Sequence, residues 1–203
     1  MADQEKNGQA ARLADLAYEF AMLKHTPRSG FAFLGSGNES VADHSFGAAA
    51  IGCILAALDG ADAGRTALLC LIHDLHEAAT GDFNYVNHRY DICDAKAAIA
   101  DACAGTGLEA LISGLYAEFE ATDSREARLA RDADQLDLIC ALRREQAHGN
   151  PFAGEWLKSA VKRIKTETGQ KFCAALLKTG PDNWWYGQAD QSWWINRDKT
   201  SKT

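Results

Sequence analysis

Apolar residues recur at helical spacing along most of this sequence. In the segment 9–24, Leu16 and Leu23 fall on one face of a helix, and Pro27 provides a stop shortly afterwards. A loop is predicted over 26–38, because one proline and three glycines are concentrated there.

Six further helices are predicted, each bounded by capping residues or by glycine and proline. The first is apolar almost all round, which is typical of a buried helix. The Asp123–Glu126 segment has the pattern of a capping box, which marks the start of another. The predicted ranges are 40–58, 62–80, 91–103, 107–121, 123–147 and 154–178.

These elements predict an all-α fold, a bundle of about six to eight helices in a single domain over 9–180. A flexible tail is expected over 1–8, where the sequence is polar. The C-terminal segment 181–203 is rich in tryptophan, and we expect it to pack on the domain or on a dimer partner. Its tryptophans are Trp184, Trp185, Trp193 and Trp194.

Composition supports the helical interpretation and narrows the function. The chain is 47% hydrophobic, which favours a packed core over disorder, and its net charge of −7 disfavours binding to nucleic acid polymers. Its N-terminus lacks an apolar signal core, and we find no apolar run long enough for a membrane span. The six cysteines include no C-x-x-C pair, so a disulfide scaffold is disfavoured and a cytoplasmic location is expected.

The helix predicted over 62–80 carries the residues of chemical interest. His73 and Asp74 follow the buried stretch LLCLI, Glu77 shares their side of the helix, and Asp82 comes just beyond its end. A lone His-Asp dipeptide is most often a hydrogen-bonded pair or part of a solvated face. Here it emerges from a buried stretch, where charged groups need partners or a metal ion.

Further candidate ligands lie on two other predicted helices. His44 is near the start of the helix over 40–58, and alone it would most often be a partly buried, hydrogen-bonded histidine. The segment RDADQLD offers Asp132, Asp134 and Asp137, and their spacing does not decide which of the three faces inward.

The ordered set His44, His73-Asp74 and an aspartate of RDADQLD resembles the H…HD…D motif of the HD-domain metal-dependent phosphohydrolases. ESVADHS, HDLHEAATGD and RDADQLD resemble, more narrowly, the bacterial 5′-deoxynucleotidases and the HD domain-containing protein 2 group. The loop KHTPRSGF also fits that group. The resemblance covers roughly residues 10–165 and leaves the tryptophan-rich segment outside it.

Carried over residue by residue, the resemblance implies metal ligation by a set of four side chains and selects Asp134 among the three aspartates. It implies roles for Glu77 and Asp82 around the attacking water and the leaving group, and a phosphate contact for Arg28. The implied metal ligands are His44, His73, Asp74 and Asp134.

One position departs from the nucleotidase pattern. Where those enzymes have a tryptophan that helps to exclude the ribose 2′-hydroxyl, this chain has Ser29. Phe31, two residues later, is the aromatic candidate to take its place against the substrate. The preference for deoxyribose is therefore less firmly implied than phosphatase activity.

Two imidazoles and two carboxylates suit one divalent ion per site, with Mn²⁺, Co²⁺, Fe²⁺ or Zn²⁺ preferred over Ca²⁺ and Mg²⁺ as a further candidate. The expected reaction is hydrolysis of (deoxy)nucleoside 5′-monophosphates to nucleoside and phosphate. The expected partner is therefore a small-molecule nucleotide, and the resemblance also points to a homodimer.

Two other functions remain open at this stage. One is hydrolysis of a different phosphoester, cyclic or non-nucleotide, which would change the substrate pocket and not the metal site. The other is a metal- or nucleotide-binding module without turnover. The presence of Glu77 and Asp82 beside all four ligand positions disfavours it. A third reading, a helical scaffold with coincidental polar residues, predicts no metal site at all.

Overall fold

The computed structural model describes residues 2–187, and within this range the protein is helical, with no β-strand. The all-α prediction is therefore confirmed. An isolated antiparallel bridge joins Pro27 to Ser40 and closes the loop between them. The α-helices are α1 (Ala2–Met22), α2 (Gly30–Leu34), α3 (Val41–Asp59), α4 (Ala63–Ile72), α5 (Glu77–Thr80), α6 (Ala95–Cys103), α7 (Glu109–Ala121), α8 (Arg125–Ala147), α9 (Ala153–Val161) and α10 (Glu167–Lys178), and a short 3₁₀ helix (Asn87–Arg89) lies between α5 and α6.

The centre of the bundle is formed by α3, α4 and α8, which pack against one another. Helix α3 is apolar and long enough, by composition and length alone, to be a candidate membrane span. Its inward-facing side chains enter the core, where Val41, Leu55 and Ala56 are fully buried. A helix at the centre of a bundle can be as long and as apolar as a membrane-spanning helix. The packing of α3 against α4 and α8 is therefore enough to explain its apolar composition.

Helix α1 begins earlier than its apolar pattern predicts. It starts at Ala2 and not near residue 9, so the segment expected to be a flexible tail is helical. Ala2, Gln4, Glu5 and Lys6 in its first turns have high helix propensity, and the helix continues through the less favourable Asn7 and Gly8 without a proline. Further along, the Gln9 side chain donates to the carbonyl of Thr106, which ties this part of α1 to the turn before α7.

Two helices predicted as continuous are broken. The segment predicted over 62–80 is divided into α4 and α5 by a turn at residues 73–76, and the segment over 154–178 is divided into α9 and α10. At the second break, Asp132 of α8 accepts hydrogen bonds from the backbone N–H groups of Lys165 (2.8 Å) and Thr166 (2.7 Å). A side chain from another helix therefore fixes the turn, which local sequence patterns cannot reveal.

Two local features differ from the predicted elements. The loop predicted over 26–38 contains the short helix α2. Ser124, and not Asp123, caps α8, because the Ser124 side chain accepts a hydrogen bond from the backbone N–H of Ala127.

In the tryptophan-rich C-terminal segment, the side chain of Trp184 is 84% exposed. Residues 188–203, with Trp193 and Trp194, lie outside the described residues, so the predicted packing of this segment stays a prediction.

Candidate metal centre and pocket

His44 is placed by the first turn of α3. Ser40 and Asp43 form a capping box, in which each side chain accepts a hydrogen bond from the other residue's backbone N–H. The backbone N–H of His44 donates to the Ser40 carbonyl, so the imidazole leaves the helix one turn after its start. The side chain of His44 is fully buried, in the contact between α3 and α8.

His73 and Asp74 lie in the turn that separates α4 from α5. Hydrogen bonds from Leu75 N to the Ile72 carbonyl and from Glu77 N to the Asp74 carbonyl span three residues, as in a 3₁₀ turn. This tight turn brings Asp74 Oδ2 to 3.0 Å from His73 Nε2. The two side chains therefore converge, where a regular helix would have separated them by about 100°.

The three aspartates of α8 have three different positions. Asp134 Oδ1 lies 3.1 Å from His44 Nε2, on the side of the ring that faces the cluster. Asp137 Oδ2 lies 2.8 Å from the other ring nitrogen of His44, Nδ1. Asp132 faces away from the cluster and caps the turn before α10. The structure therefore brings Asp134 into the cluster, as the resemblance implied.

The four predicted ligand side chains meet in one place. Ligand atoms of His44, His73 and Asp134 all lie within 4.8 Å of one another, and Asp74 Oδ2 is 3.7 Å from His44 Nε2. Both histidines donate from Nδ1, to the Asp137 carboxylate and to the Cys70 carbonyl (2.7 Å), so Nε2 is the nitrogen that each has left for a metal ion.

The chemistry of this cluster fits a divalent cation. His44 Nε2 is buried and has no hydrogen-bond partner, although Asp134 Oδ1 lies only 3.1 Å from it. Burial and Arg28 oppose protonation of His44, yet the carboxylates of Asp134 and Asp137 outweigh them and raise its pKa to about 10. A proton and a metal ion would therefore compete for the same nitrogen, in a donor set of two imidazoles and two carboxylates.

Arg28 and Asp82 lie beside the cluster. The Arg28 guanidinium is 3.5 Å from Asp74 Oδ2 and 3.9 Å from Asp82 Oδ1. Asp82 Oδ2 accepts hydrogen bonds from the backbone N–H (2.5 Å) and the hydroxyl (2.9 Å) of Ser29. The bond from Arg28 N to the Glu39 carbonyl (2.9 Å) holds this loop against the start of α3. The guanidinium therefore lies beside the cluster within reach of both Asp74 and Asp82, and backbone contacts hold the loop that carries it.

Glu77 is buried near Asp74, at the start of α5. Its Oε2 atom has no hydrogen-bond partner and its side chain is almost inaccessible, at 8% exposure. Burial, reinforced by the negative charges of Asp74 and Asp82, raises the pKa of Glu77 to about 10. A carboxyl group in such surroundings readily holds a proton, which is the property that general acid–base chemistry requires.

A pocket of about 420 Å³ opens from the cluster. Arg28, His73, Asp74, Asp82 and Asp134 form part of its wall, so the predicted site lies inside it. The rest of the wall is largely apolar and aromatic, and it includes Phe31, the residue predicted to contact the substrate. The apolar and aromatic side chains are Phe31, Phe33, Leu34, Phe83, Tyr85, Val86, Phe119, Leu138, Leu142 and Trp156.

A chain of contacts joins Asp134 to the pocket wall. Gln135 Nε2 donates to Asp134 Oδ2 (3.0 Å), and Gln135 Oε1 accepts from Arg163 (3.1 Å). The Arg163 guanidinium lies over the ring of Tyr85, 4.7 Å from its centroid. Sequence reasoning did not identify Gln135 or the contact between Asp137 and His44. The three-residue spacing of Asp134 and Asp137 was the one available signal, because it places both on one side of α8.

Comparison with known proteins decides the family. The sequence matches the HD domain over residues 20–176, which is most of the chain. The chain belongs to the HD-domain family. Family membership and the His/Asp cluster together support a metal-dependent phosphohydrolase, without specifying its substrate. Comparison of this HD-domain protein with curated proteins gave no match.

Several solved structures are similar to this HD-domain protein. A conserved hypothetical protein of Pyrococcus furiosus is 26% identical, with a TM-score of 0.69 over 82% of this chain and 99% of the other. A protein of Pyrococcus horikoshii OT3 is 28% identical, with a TM-score of 0.67 over 82% and 98%. A predicted metal-dependent phosphohydrolase of Magnetospirillum magnetotacticum MS-1 is 24% identical, with a TM-score of 0.62 over 84% and 92%, which shows a shared fold.

Proposed function

We propose that this HD-domain protein is a metal-dependent phosphomonoesterase that hydrolyses nucleoside 5′-monophosphates, deoxyribonucleotides included, to nucleoside and phosphate. One observation carries the proposal: His44, His73, Asp74 and Asp134 converge beside Arg28, and all of these except the fully buried His44 lie in the wall of a pocket that is otherwise largely apolar and aromatic. The Magnetospirillum protein, named as a predicted metal-dependent phosphohydrolase, supports the general reaction.

The proposed roles follow from the positions of the side chains. His44, His73, Asp74 and Asp134 would hold one divalent ion, from Mn²⁺, Co²⁺, Fe²⁺, Zn²⁺ or Mg²⁺. When bound, such an ion supplies Lewis acidity to the phosphoryl group and makes water more acidic. The planar guanidinium of Arg28 can donate two parallel hydrogen bonds to phosphate, a geometry that lysine cannot reproduce.

Glu77 and Asp82 are the two carboxyl groups beside the proposed ligands, and they differ in how they are held. One oxygen of Asp82 is already engaged by Ser29, so this carboxylate is held in place as an acceptor. Glu77 Oε2 has no partner, and it is therefore the oxygen free to exchange a proton with water or with the leaving 5′-oxygen. We propose that Glu77 moves the proton and that Asp82 keeps Arg28 and Ser29 in position.

The substrate assignment depends on the pocket. A volume of about 420 Å³ accommodates a small molecule with one phosphate at the cluster, and the aromatic wall offers stacking surfaces for a nucleobase. Ser29 stands where the nucleotidases have a tryptophan, and its hydroxyl is held between Asp82 and Asn84. We therefore propose that ribonucleotides are accepted alongside deoxyribonucleotides.

The test is phosphate release from ribo- and deoxyribonucleoside 5′-monophosphates by the chelator-treated protein, supplied in turn with Mn²⁺, Co²⁺, Zn²⁺ and Mg²⁺. Cyclic nucleotides and a model diester complete the panel, and the Asp74→Ala variant is the control for a contaminating phosphatase. Release from monophosphates that the variant abolishes is the expected result. Hydrolysis confined to the diesters or cyclic nucleotides would contradict the substrate assignment, and nucleotide binding without release would indicate a non-catalytic module.

We also propose that the enzyme is a cytoplasmic homodimer. All six cysteines are free thiols, which is typical of a reducing compartment. Phe46, Ile54 and Leu58, spaced along one face of α3, are 73%, 45% and 67% exposed, and this supports burial against a second copy. Sedimentation equilibrium measures the assembly state directly; a monomer at micromolar concentration would contradict the dimer.

A further inference from the structure

We propose that Asp137 is a positioning residue of the metal centre, and that Gly47 is required for its carboxylate to reach His44. Asp137 would hold the imidazole of His44 in the orientation and tautomer that direct Nε2 toward the ion. The inference rests on the metal site of the proposed function and extends it to two residues outside the ligand set.

The contact between Asp137 and His44 is short and shielded from water. Asp137 Oδ2 lies 2.8 Å from His44 Nδ1, and the two residues are 8% and 0% exposed. Because a carboxylate only accepts, this hydrogen bond places a hydrogen on Nδ1 and leaves Nε2 as the nitrogen that can bind an ion. The Nε2 atom then faces Asp134, without a hydrogen-bond partner of its own.

The two aspartates act on opposite edges of one ring. Asp134 and Asp137 are three residues apart in α8, so both side chains project toward α3. The first lies beside Nε2 and the second beside Nδ1. Helix α8 thereby supplies a candidate ligand together with the support for another, and the imidazole is fixed between them.

Gly47 makes this approach sterically feasible. It lies one turn after His44 in α3, and a Cβ atom at this position would be 1.9 Å from Asp137 Oδ1 and 2.7 Å from its Cγ. Its backbone is helical and does not have a positive φ, so conformational freedom does not explain the glycine. Since glycine is less favourable than alanine inside a helix, the close approach of Asp137 is the physical reason for its presence.

The first measurement is Mn²⁺ affinity by calorimetry on chelator-treated protein, with folding of each variant verified by circular dichroism. We expect Asp137→Ala to weaken binding about 10- to 100-fold, the usual effect of losing the partner of a ligating histidine. Asp137→Asn retains one acceptor oxygen and should recover part of the affinity. Asp132→Ala is the matched control, because Asp132 is also a buried aspartate of α8 but does not face the cluster.

The second measurement reports the tautomer directly. In protein loaded with diamagnetic Zn²⁺ and labelled with ¹⁵N-histidine, His44 should show a slowly exchanging Nδ1–H resonance, present in Asp132→Ala and absent in Asp137→Ala. Gly47→Ala keeps every polar group of the site, yet it should displace Asp137 and weaken Mn²⁺ binding to a similar extent. A purely structural role for Asp137 would leave this resonance unchanged.

The outcomes separate this inference from the proposed function. If the wild-type protein binds no divalent ion, both are wrong. If it binds Mn²⁺, and Asp137→Ala and Gly47→Ala bind equally well, only the positioning role is overturned. Should Asp137→Ala fail to fold, Gly47→Ala provides the same comparison. Wild-type affinity and an unchanged Nδ1–H resonance in Gly47→Ala would overturn the inference.

Discussion

His44 Nε2 and Asp134 Oδ1 lie 3.1 Å apart across the contact between α3 and α8, and the nitrogen makes no hydrogen bond. Buried polar atoms are almost always paired, and each exception calls for an explanation. A cation held between the two atoms would satisfy both and would also offset the negative charge of Asp74 nearby. This relationship is the basis of the predictions about the metal centre.

Removing one carboxylate should therefore remove the metal. Changes to residues that support the ligands typically lower metal affinity by roughly 10- to 100-fold. Because Asp134 is a proposed ligand itself, we expect Asp134→Ala to lower Mn²⁺ affinity by more than this. It should also abolish phosphate release. Metal content after gel filtration, measured by mass spectrometry, checks the prediction. Asp132→Ala, two residues away, should retain the metal; equal metal loss in both variants would point to unfolding and not to ligation.

Arg28 should be needed for its shape as well as its charge. Replacement by lysine keeps the charge but loses the planar pair of donors, so we expect Arg28→Lys to lower kcat/KM for monophosphates about 100-fold. Steady-state kinetics with a deoxyribonucleoside monophosphate measure this. Arg125→Lys, an exposed arginine paired with Asp59 far from the pocket, is the control. An Arg28→Lys enzyme with wild-type kcat/KM would exclude Arg28 as the phosphate contact.

Glu77 should affect catalysis without affecting metal binding. Glu77→Gln has nearly the same shape but cannot exchange a proton, and we expect a fall in kcat of about 10²- to 10⁴-fold with Mn²⁺ affinity preserved. Calorimetry and single-turnover phosphate release, performed on the same preparation, separate the two quantities. Loss of metal in this variant would instead place Glu77 among the ligands, and an unchanged kcat would remove it from the reaction.

Asp132 should stabilise the fold and not the reaction. Its carboxylate accepts from Lys165 N, Thr166 N and the Thr166 hydroxyl, and it is 1% exposed. Asp132→Ala leaves these donors without their partner, so we expect the free energy of unfolding to fall by about 2–4 kcal/mol. Urea denaturation measures the change. Asp123→Ala, an exposed acid just before α8, should change it by less than about 0.5 kcal/mol.

Local sequence signals predict elements well where the stabilising contacts are themselves local. The range predicted for the second helix, 40–58, agrees with α3 to within one residue at each end. Ser40 and Asp43 cap its start within one turn, and Gly60 ends it in the left-handed conformation, with φ of 71°. Each of these contacts joins residues a few positions apart, so the pattern contains the necessary information.

The breaks between α4 and α5 and between α9 and α10 could not be predicted in this way. The first break, at residues 73–76, contains neither proline nor glycine, and the His73 side chain there donates a hydrogen bond to the Cys70 carbonyl. The second depends on Asp132, more than thirty residues earlier in the chain. Helical periodicity continues through both segments, so only tertiary contacts reveal the turns.

For a similar reason, the sequence indicated the family of the candidate site but did not distinguish among the aspartates of α8. The order of His44, His73-Asp74 and the aspartates indicated the family, but spacing alone left three aspartates equivalent. The structure separates them by their neighbours: Asp132 meets backbone N–H groups, Asp134 meets His44 Nε2, and Asp137 meets His44 Nδ1. Such distinctions depend on how α3 and α8 are juxtaposed, which no single segment encodes.

The chain of contacts from Asp134 through Gln135 and Arg163 to Tyr85 has a thermodynamic consequence. One end is a candidate metal ligand, and the other is part of the pocket wall. A ligand that shifts Tyr85 would shift the oxygen of Asp134 that Gln135 holds. Linkage between two binding equilibria is reciprocal, so the factor by which the ion raises the affinity for a pocket ligand equals the factor by which that ligand raises the affinity for the ion.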